Sequence, residues 1–171
     1  MFYYQDAFRS DKHDLIDGGL LQTLWVRDDI YHADRERVRE GVCYMDRKVS
    51  PAIPRHDSSA QCLDGLSHAE IAREFQLRET FISYDPYTMY SHYAAVCGCD
   101  SVVIPPDGMS KDQWYSEEQK RYGIAFGFEE IEWARATQKK ALDFLKNEEL
   151  DAIKSVDRFA ELCMEQFGSL T

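Results

Sequence analysis

The stretch TFISYDPYTMYSHYAAVCGCDSVVI, residues 80–104, decides the fold. Its opening, Thr80-Phe81-Ile82-Ser83-Tyr84, is a short run of strand-forming residues and predicts a β-strand. Asp85-Pro86 reads as a helix start, with Asp as the cap and Pro at the first helical position. The helix so predicted runs to Gly98, where a residue without Cβ accepts the left-handed conformation of a helix end. Ser101-Val102-Val103-Ile104 is nearly all β-branched and predicts a strand buried on both faces. Strand, helix and strand with short connections form a βαβ unit, and its two strands lie parallel.

The same rhythm continues on either side. Upstream, Val42-Cys43-Tyr44-Met45 is a strand candidate, and Pro51 and Pro54 mark the loop after it. Ala60-Gln61-Cys62-Leu63 is a second strand, closed by Asp64-Gly65. Ser67 then caps a helix through a capping box with Glu70, and Ala69, Ile71, Ala72 and Phe75 form its apolar face. Downstream, Pro105-Pro106-Asp107-Gly108 ends the Val102-Val103 strand. A short helix is predicted over 111–118, an extended segment over 122–127, a long amphipathic helix over 128–146 and a last helix over 151–167. The pattern predicts an α/β, Rossmann-like parallel sheet with helices on both faces. Residues 1–40 read as an irregular arm with one short helix, and 41–171 as the domain.

Composition narrows the function. The chain has 171 residues, 44% hydrophobic and 30% charged, an ordinary globular balance for one domain. A net charge of -11 repels a phosphate backbone, so no nucleic-acid partner is expected, and attachment to a membrane through a basic face is disfavoured. A small phosphorylated ligand needs only a local cluster of cations. The five cysteines are odd in number and include no C-x-x-C pair, which points to reduced thiols and the cytoplasm. Cys97-x-Cys99 has no second pair at zinc spacing and reads as packing. Met1-Phe2-Tyr3-Tyr4-Gln5-Asp6 lacks the basic start and apolar run of a signal peptide. No segment approaches the roughly 20 apolar residues of a transmembrane span.

In a parallel α/β sheet, ligands bind outside the carboxyl ends of the strands. Four loops qualify: Asp46-Arg47-Lys48, Asp64-Gly65-Leu66-Ser67, Tyr84 to Thr88, and Pro105 to Gly108. The helix opening at Pro86 offers first-turn N–H groups and the positive end of its dipole to an anion. Thr88 adds a hydroxyl donor, and Arg47 and Lys48 supply charge for a diphosphate. The plainer alternative is that Asp85 simply caps the helix and that Arg47 and Lys48 are solvated. A cap carboxylate also competes with a phosphate for the same N–H groups, so Asp85 must turn away if an anion docks. No G-x-G-x-x-G, no phosphate loop, no G-x-S-x-G elbow and no D-x-D metal motif occurs. His92 reads as a packed mid-helix histidine and His68 as an exposed residue beside the cap. His56, in a proline-rich loop, is more open to a ligand. Tyr84, Tyr87, Tyr90 and Tyr93 repeat at helical spacing, as a packed or pocket-lining face would.

Residues 81–105, with Ala94-Ala95-Val96-Cys97-Gly98-Cys99 followed by Val102-Val103, resemble the donor-site core of GT-B glycosyltransferases, closest to bacterial enzymes of surface polysaccharide assembly. Leu63-Asp64-Gly65-Leu66-Ser67-His68-Ala69-Glu70-Ile71 is similar to the family's turn before the preceding helix. The resemblance spans about residues 41–146. It implies one half of a GT-B fold, the domain that binds a nucleotide-diphosphate sugar without a metal or other cofactor. It implies that Asp85 stands at the family's first acidic position, against the donor sugar, as the catalytic candidate. Tyr93 falls at the second acidic position, which contacts the ribose; the family has a carboxylate there. Tyr87, Thr88 and Met89 match the diphosphate turn without its usual glycines. Arg47 and Lys48 stand where the family places its diphosphate cations, and Asp64, Gly65 and Leu66 where its backbone meets the base. A GT-B enzyme carries its acceptor domain first, and only about 40 residues precede the matching region. The expectation is therefore a fragment, split subunit or degenerate relative, inactive alone. Its partners would be the nucleotide-sugar donor and an acceptor-binding domain or subunit, which could hold it at the inner face of the membrane. The alternatives are a non-catalytic nucleotide-binding or regulatory module, and a flavodoxin-like protein with another ligand.

Overall fold

The computed structural model describes residues 21–34, 36–47 and 54–168. Five parallel strands form one sheet: β1 (Val42–Met45), β2 (Gln61–Cys62), β3 (Thr80–Ser83), β4 (Asp100–Val103) and β5 (Ile124–Phe126). Their spatial order is β2-β1-β3-β4-β5, and every neighbouring pair is parallel. The α/β Rossmann-like reading of the sequence therefore holds. The register aligns Met45, Ser83, Val103 and Phe126 across the sheet, with Tyr44, Ile82, Val102 and Ala125 one step behind. Adjacent rows face opposite sides. Val103 packs with Trp114 and Ile124, and Val102 with Ala125 and Ala134. The two valines thus bury against helices on opposite faces, which is why the run is apolar throughout.

Helix α1 (His68–Leu77) starts as its sequence dictates. Ser67 accepts from Glu70 N, and the Glu70 carboxylate accepts from Ser67 N at 2.8 Å. Ile71, Ala72 and Phe75 are buried, whereas Ala69 is exposed, because it falls off the inward stripe. Helix α2 (Met89–Cys97) ends at Gly98, with φ 97°, but begins three residues later than Pro86. Its cap is Thr88, whose side chain accepts from Tyr90 N. The predicted helix over 111–118 is only α3 (Lys111–Trp114), followed by a 3-10 turn at Glu118–Arg121.

The predicted helix over 128–146 is interrupted. Helix α4 (Ile131–Thr137) gives way to a 3-10 turn at Gln138–Lys140 before helix α5 (Ala141–Phe167). Thr137 Oγ1 accepts from Gly123 N at 3.1 Å and donates back to Trp133 O at 3.0 Å, while the Gln138 amide donates to Cys99 O at 2.8 Å. Back-bonding of this kind bends a helix. The anchor at Gly123 is tight: its φ is +79°, and a Cβ there would lie 2.7 Å from Ala95 Cβ.

The chain divides into two compact units. One is Arg27–Phe144, which holds the whole sheet. In the other, 21–26 lies along 145–168: Ser155 Oγ accepts from Gln22 N at 2.9 Å and Glu149 Oε1 from Val26 N at 2.8 Å. No helix among the described residues is long and apolar enough to cross a membrane.

Candidate functional site

From β1 the chain steps outward to β2, then returns past β1 to β3. The strand order therefore reverses between β1 and β3, and the crevice at their carboxyl ends is the ligand position that doubly wound sheets use. A narrow cleft opens there, lined by Met45, Arg47, Asp64, Ser83, Asp85, Thr88 and Tyr90. Its interior volume is about 20 Å³, enough for one water-sized group.

Each wall has a local cause. Asp64 follows β2 and reaches back to the end of β1, where its Oδ2 accepts from Asp46 N at 2.9 Å and Arg47 N at 2.8 Å. That carboxylate shapes the turn from which Arg47 projects. Ser83, the last residue of β3, is fully buried and donates from Oγ to Asp85 O at 2.8 Å. Asp85 Oδ1 accepts from Tyr87 N at 3.0 Å. Asp85 closes its own loop and does not cap α2. The competition between this carboxylate and an anion for the helix N–H groups thus falls away. Thr88 Oγ1 uses a lone pair on Tyr90 N at 3.3 Å, which leaves its hydroxyl proton to donate. The positive end of the α2 dipole lies behind it. Burial pushes the Tyr90 phenol above its usual pKa, with Arg47 opposing and the Asp64 carboxylate reinforcing the shift, so Tyr90 feels both charges.

Arg47, Asp64, Asp85 and Thr88, singled out from the sequence, therefore meet in one cleft. Gly65 forms a turn beside it with φ +87°. Leu66 N–H donates to Leu63 O at 3.2 Å in the same turn. Tyr87 is 37% exposed and meets Tyr115 edge-on, with centroids 5.8 Å apart. Met89 is half-buried at the first position of α2. Tyr93 is buried, one turn further along α2, and stacks on Tyr31 at 4.0 Å. Lys48 lies outside the described residues. His56 stacks on Tyr44 at 3.7 Å, and its Nδ1 shares a 2.8 Å hydrogen bond with the Tyr84 hydroxyl. His68 shares one of 2.7 Å with the buried Tyr31.

Sequence reasoning passed over Met45 and Ser83 as lining residues and left Tyr90 between a packed and a pocket-lining role. The signal for the first two was their position at strand ends. Tyr90 stood out only as part of a tyrosine series. The edge also gathers two carboxylates and a thiol, because Asp46, Cys62 and Asp64 place one ligand atom each within 4.8 Å of one another. This cluster borders the cleft and makes its rim acidic around Arg47. No family model matches the chain, and no curated protein or solved structure matches it either.

Proposed function

We propose that the chain is a nucleotide-binding domain that holds the diphosphate of a nucleotide sugar at this cleft. Within that reading it serves as the donor half of a glycosyltransferase of polysaccharide or glycoconjugate assembly. The observation that carries it is the meeting of Arg47, Asp85 and Thr88 at the β1/β3 crevice, in front of the α2 N-terminus. A diphosphate at the mouth of the cleft takes charge-assisted hydrogen bonds from Arg47 and the Thr88 hydroxyl. Departing diphosphate is then stabilised by the fixed donors Arg47 and Thr88, with Lys48 next to Arg47 in sequence as a second cation, and needs no metal. Asp85 faces the sugar, where a carboxylate accepts from hydroxyl groups. Transfer then requires an acceptor-binding domain or subunit, and the chain alone transfers no sugar. The setting is the cytoplasm, with any membrane association made through that partner.

The test is calorimetric titration of uridine, guanosine and adenosine diphosphates into the parent, Arg47→Ala and Thr88→Ala. A hydrogen bond to a charged group contributes about 1.5–3 kcal/mol, so each variant should bind about ten- to a hundredfold more weakly. Parent-like affinity in both variants places the phosphate elsewhere. A second reading has its own support. The order β2-β1-β3-β4-β5 is also that of flavodoxin-like proteins, whose flavin phosphate sits at the same switch point. Stabilisation by flavin mononucleotide and not by nucleoside diphosphates would select it.

A further inference from the structure

The loop that carries Asp85 and Thr88 is short and irregular. Two of its hydrogen bonds are local: Ser83 Oγ to Asp85 O at 2.8 Å, and Tyr87 N to Asp85 Oδ1 at 3.0 Å. Bonds of this kind hold the turn together but do not fix where the turn lies. A third bond comes from far along the chain. The Trp114 indole is buried, 3% exposed, and its Nε1 donates to Pro86 O at 2.6 Å. Trp114 ends α3, in the connection between β4 and β5, and packs on Val103 and Ile124 of the sheet. Its neighbour Tyr115 meets Tyr87 edge-on. The β4–β5 connection therefore grips the β3–α2 loop at Pro86, between Asp85 and Thr88, which line the cleft.

We infer that Trp114 is a positioning residue of the candidate site. Through Pro86 O it fixes the loop so that Asp85 and Thr88 present their side chains to the ligand together. The assignment rests on the nucleotide reading of the cleft. A merely structural Trp114 would satisfy its own N–H on whichever carbonyl is near, and its loss would lower stability alone. A positioning Trp114 does more: without the bond, the loop must be ordered by the ligand at the cost of binding free energy.

The full chain is compared as parent, Trp114→Phe and Val103→Ala. Phenylalanine keeps an aromatic ring and removes the N–H. Val103→Ala loosens the same apolar cluster and leaves the bond to Pro86 intact. Replacing Trp114 by 3-benzothienylalanine, which keeps the bicyclic shape without the N–H, asks the same question if Trp114→Phe does not fold. Affinity is measured for the nucleoside diphosphate that the parent binds best, and amide hydrogen exchange is followed over 87–90. Trp114→Phe should bind about tenfold more weakly, as expected for one net hydrogen bond, and exchange faster over that segment. Val103→Ala should match the parent in both, whatever its melting temperature. The inference is overturned if Trp114→Phe keeps parent affinity and exchange, or if both variants lose affinity in step with stability. If the parent binds no nucleoside diphosphate yet Trp114→Phe still exchanges faster, the ligand reading fails and the grip on the loop stands. If the parent binds and exchange is unchanged, the ligand reading stands and the inference fails.

Discussion

Two side chains show how single residues set the terms of stability. His92 lies mid-helix in α2, 7% exposed, 6.2 Å from the Phe144 ring, and its Nδ1 has no hydrogen-bond partner among the described residues. Burial disfavours the charged imidazolium and pushes its pKa from 6.5 down to about 4. The unfolded chain therefore binds this proton first as pH falls. Stability is whole above pH 6.5 and declines until the folded-state value near 4 is passed. The loss from this residue is on the order of 3 kcal/mol. Urea unfolding of parent and His92→Leu across that window should show a flatter pH dependence in the variant by that amount. Equal slopes would mean that His92 is solvated. Arg39 acts at the other edge of the sheet. It donates to Phe75 O at 2.5 Å, Arg78 O at 3.4 Å and Cys97 O, and so satisfies the open carbonyl ends of both α1 and α2. A lysine has one point donor where the guanidinium has a fork. Arg39→Lys should cost about 1.5–3 kcal/mol in thermal unfolding, and a loss below about 0.5 kcal/mol would reduce the clamp to a surface contact.

At the level of elements, what could be read in advance was what is local. The start of α1 was legible because Ser67 and Glu70 satisfy each other within one turn, with no help from the rest of the chain. Ser67→Ala should therefore cost about 1 kcal/mol in denaturant unfolding and leave the fold intact, whereas no change would mean that solvent caps the helix equally well. The start of α2 was misjudged for the opposite reason. Asp85-Pro86 has the composition of a helix start, yet Trp114 claims Pro86 O from 28 residues away and Asp85 turns onto Tyr87 N, so the helix waits for Thr88. The break between α4 and α5 was invisible likewise, because it is made by Gly123 N and Cys99 O, which meet residues 137 and 138 only once the sheet has formed. The candidate cleft divides the same way. Strand-end loops were enough to nominate Arg47, Asp64, Asp85 and Thr88. That Asp64 would spend its carboxylate on Asp46 N and Arg47 N depended on β2 lying beside β1, a fact of topology.

At the scale of the molecule, the alternation of strand and helix was enough to foresee the parallel sheet, but not the pairing of 21–26 with 145–168. Gln22 and Ser155 are 133 positions apart, and no periodicity links them. The cysteines offer a readout on this scale. All five are free; Cys43, Cys97 and Cys99 are fully buried, and Cys62 and Cys163 are half-buried. Burial pushes the Cys97 thiol up to about 12 and raises Cys43 and Cys99 as well, while Cys99 Sγ donates to Phe75 O at 2.9 Å. Since the thiolate is the reactive form, these three are protected twice, by access and by protonation. An aromatic disulfide reagent should therefore label Cys62 and Cys163 in the native protein and leave the other three untouched. The three all lie within Arg27–Phe144, on or beside one sheet, so they should become reactive together. Peptide mapping of labelled thiols along a urea series checks this against the fluorescence of Trp114, which is buried in the same unit, read in a Trp25→Phe, Trp133→Phe background where it is the one emitting indole. One shared transition is expected for the three cysteines and the indole. Reaction of Cys43, Cys97 or Cys99 in the native state, or their emergence in separate steps, would show that the sheet and its helices open piecemeal and that α2 is not fixed as one body with the strands beside it.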